Sequence, residues 1–205
     1  MAHLALLFPT GTEPRSPYLA LPCLAAHLRK AGISVSMQDL DIGGLRALVE
    51  PNRLSSAVRS FQRRIPAHSN DSATRRLLGL CENLPERARE ALAVFHDPDL
   101  FFQPHEFAAA RDTLLDCLDL CSASLSERIH YNISPVQYDI DGVDPQSLKD
   151  LEEATRDDRW NLFSDYWEES VYPRLATDQP LAVGITITNR QQMLPASGWS
   201  VARRG

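Results

Sequence analysis

The sequence lacks the features on which several common protein classes depend. It carries 27 acidic against 21 basic residues, for a net charge of −6, so a nucleic-acid surface built on clustered Lys and Arg is not expected. No apolar run approaches the roughly 20 residues that span a bilayer. The first residues also lack the charged leader and cleavage site of a signal peptide. We therefore expect a cytoplasmic protein with neither a membrane nor a nucleic acid as its partner.

Several catalytic signatures are missing as well. The chain contains no G-x-S-x-G nucleophile elbow, no Walker loop and no G-x-G-x-x-G after its first apolar segment, which disfavours serine hydrolysis and the binding of ATP or NAD. Cys117 and Cys121 share one helix face, but no further Cys or His completes a metal-binding pattern. We interpret them as core positions. No catalytic residue and no metal ligand is predicted.

The first 42 residues have the pattern of a strand, a helix and a second strand. Leu4–Phe8 is a short apolar run ended by Pro9, which is typical of a strand covered on both faces. A helical repeat of leucines follows and stops at Gly32. Ile33, Val35 and Met37 then alternate with polar residues, which predicts a second, less buried strand. Such a unit implies a right-handed crossover and parallel pairing.

From residue 43 to 178 the periodicity is helical almost throughout, so we predict one large helical insertion there. The expected core is then 1–42 together with 179–205. A final amphipathic helix is expected to end before Pro173. The segment FHDPDLFFQPHEF contains His96 and His105 among carboxylates, but their spacing fits no known metal site. We expect it to dock phenylalanines between two helices.

A third strand is predicted at Leu181–Ile187, where the apolar pattern returns. The fold class is therefore α/β, with a parallel sheet of about three strands in the order 2-1-3. Pro195 and Gly198 interrupt the helix expected after this strand, so it is left as an apolar edge. We interpret this as a truncated or altered end.

Ligands of parallel α/β sheets bind beyond the carboxyl ends of the strands. Two polar loops stand at such positions, one after the first strand and one after the third. Asp39 and Asp41 end the second strand and could contact a ribose or an amide, although exposed turn acids are the simpler interpretation. The predicted ligand-binding residues are Pro9, Thr10, Gly11, Thr12, Thr186, Thr188, Asn189 and Gln191.

The two ends of the chain resemble the amino-terminal cobalamin-binding domain of radical S-adenosylmethionine enzymes, including peptide-modifying ones. That Rossmann-like family has a first strand ending in proline, a "P…L…L…LR..G..V...D" segment and a later "vGiS…Q" strand. The matching residues are Pro9, Pro17, Leu21, Leu24, Leu28, Arg29, Gly32, Val35, Asp39 or Asp41, Gly184, Ile185, Thr186 and Gln191, with a further likeness at Asn161–Phe163.

The resemblance implies a cobalamin-binding module that holds its cofactor for a radical S-adenosylmethionine domain or a peptide substrate. The family's CxxxCxxC motif, which holds a [4Fe–4S] cluster for S-adenosylmethionine, is absent here, so the chain alone is not expected to be catalytic. A DxHxxG segment for a cobalt-ligating histidine is absent too. The alternative is a non-catalytic Rossmann-like protein that binds a partner or a small ligand. A small α/β enzyme would need acid–base residues that we do not find.

Overall fold

A computed structural model describes residues 3–12, 18–65 and 71–197. The strands are β1 His3–Phe8, β2 Ser34–Asp39, β3 Ile129–Ile133, β4 Val136–Ile140 and β5 Ala182–Ile185. The helices are α1 Ala20–Lys30, α2 Leu40–Val49, α3 Pro51–Arg64, α4 Ser72–Leu80, α5 Leu84–His96, α6 Pro98–Phe101, α7 Pro104–Leu125, α8 Leu148–Thr155, α9 Ser164–Tyr166, α10 Tyr172–Asp178 and α11 Met193–Ala196. Short 3-10 turns lie at Asp158–Trp160 and Arg190–Gln192, and a π-helical turn at Trp167–Val171 joins α9 to α10.

The main sheet confirms the predicted fold class. Its three strands run in the order β2-β1-β5, and both pairings of β1 are parallel. Leu4 lies opposite Val35 on one side and Ala182 on the other. Ala5 and Leu7 of this central strand have no exposed surface, as expected for a strand covered on both faces.

Helix α1 packs its apolar stripe on the sheet. Leu21 and Ala25 of α1 form a buried cluster with Leu6 and Phe8 of β1 and with Val35 of β2. These positions are four residues apart on the helix and two apart on the central strand, which are the repeats that place side chains on one face. The helix ends where Gly32 adopts a φ of +79°, a conformation that glycine adopts without steric cost.

The chain divides into two compact units, one of residues 1–45 with 133–205 and the other of residues 46–132. Residues 133–178, which the sequence pattern assigns to the helical insertion, group with the main sheet in the first unit. The insertion contains a large helical region, as predicted, but its helical pattern is interrupted. Residues 129–140 form the two-stranded sheet of β3 and β4, with Ile129, Tyr131, Tyr138 and Ile140 buried.

The last helical segment of the insertion extends further than predicted. The sequence pattern predicts its end before Pro173, whereas α10 continues to Asp178. The change from the π-helical turn to α10 at Tyr172 places Pro173 in a first helical turn. Proline is tolerated there because the N–H that it lacks has no partner within the helix.

The second unit is built from helices with apolar stripes. Leu54, Val58 and Phe61 of α3 are buried, as their spacing predicts. Cys117 and Cys121 of α7 are also buried, and burial raises the pKa of each thiol to about 12. Their interpretation as core positions is therefore confirmed. None of the helices within the described residues is both long and apolar enough to cross a bilayer.

Candidate functional site

The two predicted ligand loops meet at the carboxyl edge of the main sheet. A side-chain amide N–H of Gln192 donates a hydrogen bond of 2.8 Å to the carbonyl of Pro9. Gly11 has a φ of +104°, and a Cβ added there would lie 2.7 Å from the carbonyl oxygen of Gln191. Glycine is required at this point by both the backbone conformation and the close approach. We call this region, residues 9–12 with 186–192, the sheet edge site.

Gln192, the neighbour of the predicted ligand residue Gln191, organises the loop after β5. Gln192 has no exposed surface, and its Oε1 accepts hydrogen bonds from the amide and the hydroxyl of Thr188 at 2.7 and 2.8 Å. Gln191 instead accepts a bond of 2.6 Å from the backbone N–H of Tyr138. These polar groups of Gln191, Gln192 and Thr188 are therefore occupied by hydrogen bonds within the protein.

Asp41 fastens the loop after β1. Its Oδ1 accepts hydrogen bonds from the backbone amides of Gly11 and Thr12 at 2.9 and 3.2 Å, and its Oδ2 accepts one from the Thr12 hydroxyl at 2.5 Å. The interpretation of Asp41 as an exposed turn acid is wrong, since the residue is 3% exposed. Asp39 is exposed, as expected, and its carboxylate accepts a bond from the Asp41 amide.

The pKa of Asp41 reflects opposing influences. Burial raises the pKa of the carboxyl above its usual value, because the charged form loses its hydration. The hydrogen bonds from Thr12 and Gly11 act in the opposite direction, since they favour the carboxylate, and the charge of Asp39 raises the pKa further. The net shift is upward, so Asp41 is costly to keep charged in the fold.

Two glycines let the first turns of α2 lie close to this loop. A Cβ on Gly44 would lie 2.2 Å from the Thr10 methyl carbon and 3.1 Å from the ring of Phe163. A Cβ on Gly43 would lie 2.1 Å from the Tyr166 hydroxyl oxygen. The Gly-Gly pair is the signal of this close packing in the sequence. It marks a place where the loop, α2 and the 163–166 segment come into direct contact.

The Asn161–Phe163 segment, which carries part of the family resemblance, has a structural role here. The Asn161 Oδ1 accepts a bond of 3.0 Å from the Phe163 amide, and its Nδ2 lies 3.4 Å from the Pro195 carbonyl. Trp167 donates its indole N–H to the same carbonyl at 2.9 Å. These bonds tie α11 to the segment that packs beneath the loop after β1.

Two of the predicted ligand residues have a buried oxygen that lacks a partner. Among the described residues, nothing forms a hydrogen bond with the Thr10 Oγ1 or with the Asn189 Oδ1. Leaving such a group unpaired costs about 1–3 kcal/mol, so a native fold usually supplies it with a partner. Both atoms can accept hydrogen bonds from an amide, and the corrin ring of cobalamin carries amide side chains. This donor–acceptor match fits the cofactor implied by the resemblance.

The other predicted residues have backbone or loop roles. Pro9 is buried and accepts from Gln192, and the Thr186 amide donates to the Leu7 carbonyl at 3.0 Å, which extends the pairing beyond β5. No cluster of three or more His, Cys, Asp or Glu residues suited to a metal ion occurs within 3–12, 18–65 and 71–197.

Comparison of the chain with protein-family models, with curated proteins and with solved structures gave no match.

Proposed function

We propose that this chain is a cobalamin-binding module and that the sheet edge site holds the cofactor. The observation that carries the proposal is the pair of buried, unpartnered oxygens, the Thr10 Oγ1 and the Asn189 Oδ1, one in each of the two loops that meet at this edge. Its position supports the proposal, because ligands of parallel α/β sheets bind at the carboxyl ends of the strands. The resemblance of both ends of the sequence to the cobalamin-binding family is the reason for proposing cobalamin as the ligand.

In this proposal the chain's own residues bind and orient the cofactor, and cobalamin supplies the reactive cobalt centre. Thr10 and Asn189 accept hydrogen bonds from corrin amides, while Gly11 lets the backbone approach closely. S-adenosylmethionine and a [4Fe–4S] cluster belong to a separate radical domain, since this chain has no CxxxCxxC motif. Alone, the chain is a binding protein rather than an enzyme. A radical S-adenosylmethionine domain and its peptide substrate are the proposed partners.

Binding at this site requires one of the loops to move. The oxygens of Thr10 and Asn189 are shielded from solvent, and the Thr12 hydroxyl is held by Asp41. The loop after β5 is held in turn by Gln192.

The test is the substitution Thr10→Val, which removes the hydroxyl and keeps the shape. Binding to the unmodified protein should shift the visible spectrum of hydroxocobalamin, and titration gives the affinity. The affinity of the variant should be at least about tenfold lower, which corresponds to the loss of about one good hydrogen bond. Urea unfolding of the apo variant should show a gain of about 1 kcal/mol, because an unpaired buried group is gone.

Ser122→Ala is the matched control. Ser122 lies in α7, is 4% exposed and has a buried Oγ without a partner among the described residues. This variant should gain stability in the same way and leave the cobalamin titration unchanged. Equal affinity of Thr10→Val and the unmodified protein would remove the hydroxyl from the binding site.

A second candidate function is that of a non-catalytic scaffold that binds a partner, or of a protein that binds another small ligand. It is favoured by the internal hydrogen bonds of Gln191, Gln192 and Asp41, because these bonds occupy side-chain donors and acceptors that a ligand would otherwise contact. If the unmodified protein leaves the spectrum of hydroxocobalamin unchanged at high concentration, the cobalamin proposal fails and this alternative is preferred.

A further inference from the structure

A group of phenylalanines forms the junction of α5, α6 and α7 in the second unit, residues 46–132, which we call the helical unit. Phe95 lies in the last turn of α5, Phe101 ends the single turn of α6, Phe102 follows it and Phe107 lies in the first turn of α7. The turn of α6 is fixed by Asp97, whose carboxylate accepts bonds from the amides of residues 99 and 100 at 2.8 and 3.2 Å. We call residues 95–107 the aromatic tip.

The rings of the aromatic tip form one connected stack that leads from the helices to the surface. Phe95, Phe101 and Phe107 contact one another edge to face, with ring centroids 5.3 to 6.3 Å apart, as the expected docking of phenylalanines between helices requires. Phe102 packs its ring edge-on against Phe101 at 5.2 Å. Phe102 nevertheless remains 79% exposed and Phe101 37% exposed. The inner rings therefore support an outer ring that faces solvent.

The charges of the aromatic tip are all of one sign. It contains the carboxylates of Asp97, Asp99 and Glu106 and no Lys or Arg. The nearest cations along the chain are Arg89 and Arg111, which pair with Glu86 and Asp112. The tip also contains His96 and His105, and the His105 Nε2 lies 3.3 Å from a Glu106 oxygen. The exposed ring of Phe102 thus belongs to a segment with three carboxylates and no Lys or Arg.

We propose that the aromatic tip is a docking surface for a protein segment that carries Lys or Arg beside apolar side chains. Charge complementarity selects this occupant, since an acidic segment is repelled and a purely apolar one leaves the carboxylates without counterions. The exposed face of Phe102 can bind an apolar side chain or a cation over its ring. Because the ring is supported by Phe101, little conformational freedom is lost on binding. The site is independent of the cobalamin proposal.

The probes for the test are two short synthetic peptides, one alternating lysine with leucine and the other alternating glutamate with leucine. Each carries a fluorophore, and its anisotropy is followed as the full-length protein is added. The lysine peptide should bind with an affinity that falls at least about tenfold between about 0.05 and about 0.3 M salt, because the contacts are solvent-exposed charges. The glutamate peptide should bind at least about tenfold more weakly.

Matched variants decide whether the aromatic tip is the binding surface. Phe102→Ser should lower the affinity for the lysine peptide at least about fivefold, while Leu148→Ser should leave this affinity unchanged. Phe102 and Leu148 are equally exposed, at 79%, so neither substitution disturbs a core. Asp99→Asn should weaken binding about threefold, and Glu127→Gln, which neutralises another exposed acid, should have no effect.

The proposal is overturned by three outcomes. The first is absence of binding of the lysine peptide to the unmodified protein. The second is an equal loss of affinity for the lysine peptide in Phe102→Ser and Leu148→Ser, which would show non-specific binding or attraction by the net charge of the whole chain. The third is equal binding of both peptides. Phe102→Ser should also leave any hydroxocobalamin shift unchanged, so the two proposals succeed or fail separately.

Discussion

The unit with the main sheet and the helical unit differ in the polar side chains that they bury and in the bonds that these side chains make. In the former, Asp41, Asn161 and Gln192 are buried and bonded to loop backbone. In the helical unit the charged pairs are at the surface, as where Arg76 contacts Asp116 and Asp119. Buried polar networks are costly unless they are fully satisfied. The contrast indicates that the loops of the first unit are held by buried polar bonds, whereas the helical unit is held mainly by apolar packing.

The largest difference between the units should appear when glycines are replaced in their helices. Gly44→Ala should lower the free energy of unfolding by about 3 kcal/mol, because the new methyl group meets Thr10 and Phe163 at 2.2 and 3.1 Å. Gly79→Ala in α4 should raise it by about 0.5–1 kcal/mol, because no atom lies within 4 Å of the new Cβ and alanine favours the helix. Urea unfolding measures both. Similar values for the two variants would contradict the close packing at the loop.

A smaller effect is expected from the carboxylate that holds the loop after β1. Asp41→Ala should cost about 2–3 kcal/mol, since the amides of Gly11 and Thr12 lose their acceptor. Asp41→Asn should stay within about 1 kcal/mol of the unmodified protein, because its Oδ1 still accepts both bonds and its Nδ2 can donate to the Thr12 hydroxyl. Protection of the two amides in hydrogen exchange should fall in the alanine variant alone.

The Asn variant also gives the pH dependence of Asp41. The pKa of Asp41 is raised in the fold, so the stability that its protonated form contributes is complete below about 3.8, the unfolded value, and is lost as the pH rises through the folded pKa. The stability of the unmodified protein minus that of Asp41→Asn should therefore decrease with rising pH in this window. Urea midpoints measured from about pH 3.5 to 7 test the sign. A difference that increases with pH would show that the hydrogen bonds outweigh burial.

The smallest effect is expected for the surface charges of the helical unit. Arg76→Ala should cost no more than about 1 kcal/mol, although Arg76 contacts two carboxylates, because its side chain is 49% exposed and such pairs are screened by water and salt. Adding salt should reduce the loss further. A loss as large as that of Asp41→Ala would mean that the helical unit, too, depends on its polar contacts.

The main sheet could be predicted from the sequence because its signals are local. An unbroken apolar run gives β1, a glycine stop gives the end of α1, and alternation gives β2, while the return of the apolar pattern near Leu181 gives β5. The order of these strands follows from the short crossover after β1 and the long insertion after β2. Each of these inferences uses residues that are neighbours in the sequence.

The site could be predicted only at the level of its loops. The burial of Asp41 depends on amides 29 and 30 residues away, and that of Gln192 on a carbonyl 183 residues away. No local pattern distinguishes Gln192 from Gln191, so the sequence alone could not show which of the two side chains is fully buried. The β3–β4 strands were missed although their sequences, IHYNI and VQYDI, alternate strictly between apolar and polar residues, which is the pattern of half-buried strands. Gly43 and Gly44 were the available evidence of close packing.

The bond between Gln192 and Pro9 has a consequence for the order in which the chain can fold. Synthesis on the ribosome delivers the central strand β1 long before its partner β5, which begins at Ala182. Until then one edge of β1 is unpaired and its apolar side chains need other cover. The nascent chain should therefore bind chaperones until β5 has emerged, and ribosome-bound chains stalled before residue 182 should lack both this strand pairing and the bond from Gln192 to Pro9.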